Sequence, residues 1–116
     1  MRKKYEITAT AFDKRGRPIG TGVNQYNRSH PLQKYFSVKA GLSDERIYLH
    51  AEVAAILQAG KKGVDSLFIQ RFHNNGEMAN AHPCKSCIEA LKAFGVRMVR
   101  YTHEDGIKEK LVNELL

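Results

Sequence analysis

The sequence predicts an α/β domain of three layers, a mixed β-sheet flanked by helices, on three observations. Short alternating or apolar runs bounded by turn residues recur along the chain, and runs of helical period are interleaved with them. Their order is strand, strand, helix, helix, strand, helix, strand and a less certain last element, as expected of helices crossing over a sheet. No internal repeat, low-complexity tract or linker divides the 116 residues, so residues 1–116 read as a single domain with room for one core and one site.

Residues Tyr5 to Phe12 put Tyr5, Ile7, Ala9 and Ala11 on one side and read as a strand with one buried face. Asp13 to Pro18 is a turn, and Ile19 to Val23 returns as a second strand. Its Gly20 and Gly22 signal a close backbone approach or a bulge near the site. After a polar loop from Asn24 to Arg28, Ser29 suits the cap of a helix near Pro31, with Leu32, Tyr35, Phe36 and Ala40 at helical spacing before Gly41. The next helix begins close to His50, buries Val53, Ile56 and Leu57, and stops at Gly60.

Ser66 to Phe72 is a short apolar strand, closed by a turn over His73 to Gly76. Pro83 suits the first turn of a third helix, whose Cys87, Ile88, Leu91 and Phe94 precede Gly95. Val96 to Thr102 is a further strand. Beyond the turn Glu104-Asp105-Gly106, Ile107 to Leu116 reads as a final strand fraying into a short tail, and its residue propensities also allow a helix.

Composition is that of a globular protein, with 42% hydrophobic and 27% charged residues and no apolar run of membrane-spanning length. The basic start Met1-Arg2-Lys3-Lys4 is followed by alternating residues rather than a signal-peptide stretch, so no membrane partner and a cytoplasmic location are expected. A net charge of +7 favours anionic partners such as nucleotides or nucleic acid. The plainer reading is a solvated basic surface, because Lys and Arg spread from Arg2 to Lys110. Only small clusters stand out, at Arg2-Lys3-Lys4, Lys14 to Arg17 and Lys61-Lys62.

The chemistry concentrates in two segments, His50-Ala51-Glu52 and Pro83-Cys84-Lys85-Ser86-Cys87. A redox disulfide would use the Cys-X-X-Cys pair but leaves His50 and Glu52 unexplained, so a reduced, metal-bound pair is the better reading. Cys84 and Cys87, three apart at a helix start, reach one ion together, and the helix dipole favours their thiolates. His50 stands likewise at the start of its own helix. If the two helices lie side by side, three ligands converge and leave the fourth tetrahedral position open, which distinguishes a catalytic zinc from a structural one. Such a zinc lowers the pKa of water from about 15.7 towards about 7. Glu52 is not needed as a ligand and is suited to take the water's proton and return it to the substrate. Either segment alone is unremarkable; their pairing, order and separation carry the inference.

These residues resemble the zinc-dependent cytidine deaminase superfamily, and the resemblance runs from the first hairpin to the strand after the third helix. It implies a cytidine-deaminase-like fold, with zinc on His50, Cys84 and Cys87 and Glu52 as proton shuttle. The implied reaction is hydrolytic deamination of a cytosine base in a free nucleoside or nucleotide, giving the uracil product and ammonia. Asn24 looks like the family's nucleotide-contacting asparagine, against its plain role as a turn residue. The Ala51 backbone N–H is implied as a donor to the base carbonyl. His82, just before Pro83, is a candidate substrate contact, with an exposed loop histidine as the plain reading and a fourth metal ligand as a remote third. A homo-oligomer is also implied, since neighbouring subunits in this superfamily often complete the site.

Two other functions compete. A deaminase acting on cytosine or adenine within single-stranded DNA or RNA would use the basic charge, but the stacked aromatic and basic tracts it needs are missing. Of Tyr26, Tyr35, Phe36 and Tyr48, Tyr35 and Phe36 fit a helix core. A non-catalytic zinc module that binds nucleic acid or protein is opposed by Glu52, for which a closed site has no use. A last strand antiparallel to Val96–Thr102 would resemble nucleoside deaminases. A helix followed by a parallel strand would resemble the tRNA and polynucleotide branches.

Overall fold

The computed structural model describes residues 7–24, 30–41, 49–60 and 63–115. Tyr5, Tyr26, Ser29, Tyr48, Leu116 and the basic clusters at Arg2 to Lys4 and Lys61-Lys62 lie outside the described residues. The strands are β1 (Ile7–Phe12), β2 (Pro18–Val23), β3 (Ser66–Arg71), β4 (Met98–His103) and β5 (Gly106–Leu111). The helices are α1 (Pro31–Lys39), α2 (Ala51–Ala59) and α3 (Lys85–Ala93). The strands form one sheet in the order β2-β1-β3-β4-β5.

Among the described strands only β3 and β4 run parallel, and α3 is the crossover that such a pair requires. The other neighbours are antiparallel, so the sheet is mixed as the sequence predicts. The final segment is a strand: β5 folds back on β4 through Glu104 and Asp105, with His103 opposite Gly106. Gly106 leaves this turn at φ +125, a conformation that L side chains rarely adopt. A single 3-10 turn, Val112–Glu114, follows, and the helical alternative for this segment is not adopted.

Alternate residues of the central strands make the core. Ala9 and Ala11 of β1, Leu67 and Ile69 of β3, and Val99 and Tyr101 of β4 pack with Ala51, Ala55, Ile56 and Ala59 of α2 and with Ile88 and Leu91 of α3. Both helices therefore cover the same sheet face. α1 packs on α3 instead of the sheet, where Phe36 meets Val53, Cys87 and Ala90 in a second apolar cluster. The three layers are sheet, α2 with α3, and α1. Among the described residues, no helix is long and apolar enough to cross a membrane.

The glycines of β2 mark a close approach. A Cβ on Gly20 would lie 2.5 Å from the Ala55 carbonyl oxygen, and one on Gly22 would lie 2.6 Å from the Ala51 carbonyl oxygen and the Ala55 nitrogen. These are backbone atoms of a helix and cannot swing aside. The small stripe Ala51, Ala55 and Ala59 on α2 thus lies directly on β2. The register irregularity of this hairpin is elsewhere, between Ala11 and Phe12.

Several local expectations change. His30, not Ser29, caps α1: its Nδ1 accepts from the Leu32 N–H at 3.1 Å, doing what a short polar side chain does at this position. The buried face of α1 carries Gln33, Phe36 and Ser37, while Tyr35 is 57% exposed, set edge-on to Phe36 with the Lys39 ammonium near its ring. Leu57 is 37% exposed because the alanines take the sheet-facing stripe of α2, and Phe94, at the C-cap of α3, is exposed as well. Pro83 precedes the first turn of α3 rather than entering it, since Cys84 is the N-cap.

Gly22→Ala should lower the unfolding free energy by about 1–3 kcal/mol, the usual cost of forcing an extra methyl into a packed contact. Urea denaturation measures this, and a variant as stable as the parent would contradict the close approach of α2 to β2.

Candidate active site

Two helix starts build the site. His50 is the N-cap of α2 and Cys84 the N-cap of α3, both in extended conformation, and neither side chain makes a capping hydrogen bond. The residues that usually stand there use their side chains to satisfy the first N–H groups of the helix. Here both side chains turn toward each other. His50 Nδ1 lies 3.5 Å from Cys84 Sγ and 3.3 Å from Cys87 Sγ, and the three donor atoms lie within 4.8 Å of one another.

A tetrahedral zinc with its usual bond lengths sets sulfur-to-nitrogen edges of about 3.5 Å and sulfur-to-sulfur edges of about 3.8 Å. The two nitrogen-to-sulfur distances match the first of these edges, and the two sulfurs lie within 4.8 Å of each other. His82 does not belong to this group among the described residues. Its Nδ1 is 2.9 Å from the Pro83 carbonyl oxygen and its exposed ring meets Tyr101 edge-on.

The two thiols share a proton unequally. A hydrogen bond from Cys87, with His50 adding to it, holds the Cys84 thiol down at about 4. The same hydrogen bond and complete burial push the Cys87 thiol well up. Without a cation, one sulfur is a thiolate and the other keeps its proton; a bound cation takes that proton's place.

Glu52, in the first turn of α2, is 5% exposed. Burial raises its carboxyl above the ordinary range, and the Cys84 thiolate adds to this against the opposing pull of its own backbone N–H, of His50 and of a hydrogen bond with Cys87. A carboxyl in such surroundings keeps a proton to higher pH than an exposed glutamate does.

Asn24 and Ala51, both read from sequence as substrate contacts, meet each other: Asn24 Oδ1 accepts from the Ala51 N–H at 2.7 Å. Sequence reasoning missed Gln33, which is fully buried on α1. Its Oε1 accepts from the His50 N–H at 3.0 Å, and its Nε2 donates to Ser86 Oγ at 2.8 Å and lies 3.9 Å from Cys87 Sγ. The available signal was polar residues four apart, Gln33 and Ser37, flanking the core residue Phe36.

The family model for the cytidine and deoxycytidylate deaminase zinc-binding region matches residues 2–103. The chain belongs to this family. Its members' metal is zinc, which the His50, Cys84 and Cys87 donor set fits. A search of curated proteins by sequence returns no match. Among solved structures, a mutant cytidine deaminase from Mycobacterium tuberculosis is similar at a TM-score of 0.58 and 22% identity, over 99% of this chain and 79% of that one. A likeness at that identity bears on the fold, and it agrees with the mixed five-stranded sheet and its helices.

Zinc binding near neutral pH should release about one thiol proton, that of Cys87, because Cys84 is already a thiolate. Apparent affinity should therefore rise by about tenfold per pH unit in this range from the thiols alone. Calorimetry in buffers of different ionisation enthalpy reads the proton directly; affinity independent of pH with no proton released would refute the shared-proton state.

Proposed function

We propose that this protein catalyses the zinc-dependent hydrolytic deamination of a cytosine base in a free nucleoside or nucleotide, yielding the uracil counterpart and ammonia. The observation that carries the reading is the buried Glu52 carboxyl beside a three-donor cluster formed by His50, Cys84 and Cys87. When bound, zinc supplies Lewis-acid activation of water at neutral pH. His50, Cys84 and Cys87 would hold the ion from helix starts whose positions the core sets.

Glu52 does the proton work. It takes one proton from the attacking water and passes it to the ring nitrogen of the base, then takes the second from the newly added hydroxyl and delivers it to the amino group, so that the carbon–nitrogen bond breaks, the carbonyl forms and ammonia leaves. Its burial suits this role, because a carboxyl that retains a proton more readily than usual can serve as base and then as acid. The Ala51 N–H is the donor for the base carbonyl, exchanging its bond to Asn24 Oδ1 for one to the substrate. Asn24 then has its amide for the sugar. His82, with Nδ1 engaged at Pro83, offers Nε2 to the substrate from the loop before Cys84.

The antiparallel β4–β5 pair favours a free nucleoside or nucleotide, being the arrangement by which the chain resembles nucleoside deaminases. The net charge of +7 favours the second reading, a base within a single-stranded polymer. Ammonia release across cytidine, deoxycytidine, their mono- and triphosphates, single-stranded DNA and tRNA separates the two, and turnover of polymers alone would reject the free-substrate reading.

Glu52→Gln should reduce turnover on the active substrate by about a hundredfold to ten-thousandfold while leaving zinc content unchanged. Metal analysis beside steady-state kinetics checks both halves, and unimpaired turnover would reject the proton-shuttle role. Asn24→Asp keeps an acceptor for the Ala51 N–H but loses the amide donors. A raised KM with normal stability is expected if Asn24 meets the sugar, and an unchanged KM would assign it to the Ala51 bond alone.

A further inference from the structure

Gln33 connects both halves of the ligand cluster from a third element of the fold. The His50 N–H can only donate, so the amide oxygen of Gln33 must face it, and this leaves the amide nitrogen toward Ser86 and Cys87. Ser37, one turn further along α1, donates to the same Ser86 hydroxyl at 3.1 Å. Gln33, Ser37 and Cys87 are fully buried and Ser86 is 1% exposed. Bulk solvent does not reach these groups, so the amide's direction is set by its protein partners.

A buried glutamine is costly to keep unless its groups are used, and a leucine would fill this apolar contact between α1 and α3. Its partners are the backbone N–H of the histidine donor, the Ser86 hydroxyl and, at 3.9 Å, the sulfur of the buried cysteine donor. We infer that Gln33 is a positioning residue of the metal centre: its carbonyl fixes the His50 backbone while its N–H draws charge from the Cys87 sulfur. This inference rests on the assignment of His50, Cys84 and Cys87 as zinc ligands. A donor at a metal-bound thiolate lowers the electron density that the sulfur gives the metal, which makes the ion a stronger Lewis acid. The contact also ties the N-terminus of α2 to that of α3 through α1.

The test uses the full chain with cobalt(II) in place of zinc, whose sulfur-to-metal charge-transfer band reports the thiolate, together with zinc affinity by chelator competition. Gln33→Leu removes both contacts, whereas Gln33→Glu keeps an acceptor for the His50 N–H but loses the donor to sulfur. Both should shift the band to longer wavelength, and Gln33→Leu, which also frees the His50 backbone, should weaken zinc by about tenfold to a hundredfold, the usual effect of losing such a partner. Val99→Ala, a core truncation away from the cluster, supplies a destabilised control whose band should not move. If Gln33→Leu does not fold, Gln33→Glu still decides the matter. A band and affinity equal to those of the parent in the folded Gln33 variants, or the same shift in Val99→Ala, would overturn the role of Gln33 alone. A parent protein that binds neither metal at this cluster would overturn the ligand assignment and the inference together.

Discussion

The closeness of α2 to β2 is the constraint on which the site depends. Gly20 and Gly22 offer no side chains, and the helix answers with Ala51, Ala55 and Ala59, so the two backbones are nearly in contact. Such an interface buries little apolar surface per residue. Its value is positional: in a close-packed interior a backbone seated against a backbone has one distance available. The N-terminus of α2, with His50 and Glu52, is held at the end of β2 beside Asn24. Larger residues on α2 and β3, Ile56 and Leu67 among them, supply the apolar burial that the small ones do not.

The helix starts then show what was given up for chemistry. An ordinary capping side chain contributes about 1 kcal/mol, and both α2 and α3 begin without one. Part of the loss is offset from far along the chain, where Gln33 accepts from the His50 N–H and Asn24 from the Ala51 N–H. A buried carboxyl and a thiolate close to each other add a further local cost. Violations of local rules concentrated in a few residues, inside a domain that otherwise obeys them, are what a functional site does to a fold. The shared proton of the cysteines fits the same picture, since it leaves the cluster one charge short of what a divalent cation would impose.

Much of this was legible in the residues. Alternation identified the strands, Gly20 and Gly22 announced a close approach, and His50, Cys84 and Cys87 marked the zinc-binding cluster. The face of α1 was not legible, because Tyr35 and Phe36 both suit a core. Only the packing of α1 on α3 assigns Phe36 and Gln33 to the inside and leaves Tyr35 outside. Asn24 and Ala51 each read as a group awaiting a substrate, and their bond to one another joins residues 27 apart, beyond what motif spacing can express.

By itself, then, the sequence determined which groups are available and how they are grouped within one turn of helix, since Cys84 to Cys87 and His50 to Glu52 are spacings set by covalent geometry and helical pitch. Tertiary structure alone decided that His50 Nδ1 comes within 3.3 Å of Cys87 Sγ across 37 residues, that Glu52 is shut away from water, and that Gln33 lies behind both donors. Those distances follow from how helices seat on a sheet and on each other, which depends on every side chain in the contact and not on any one segment.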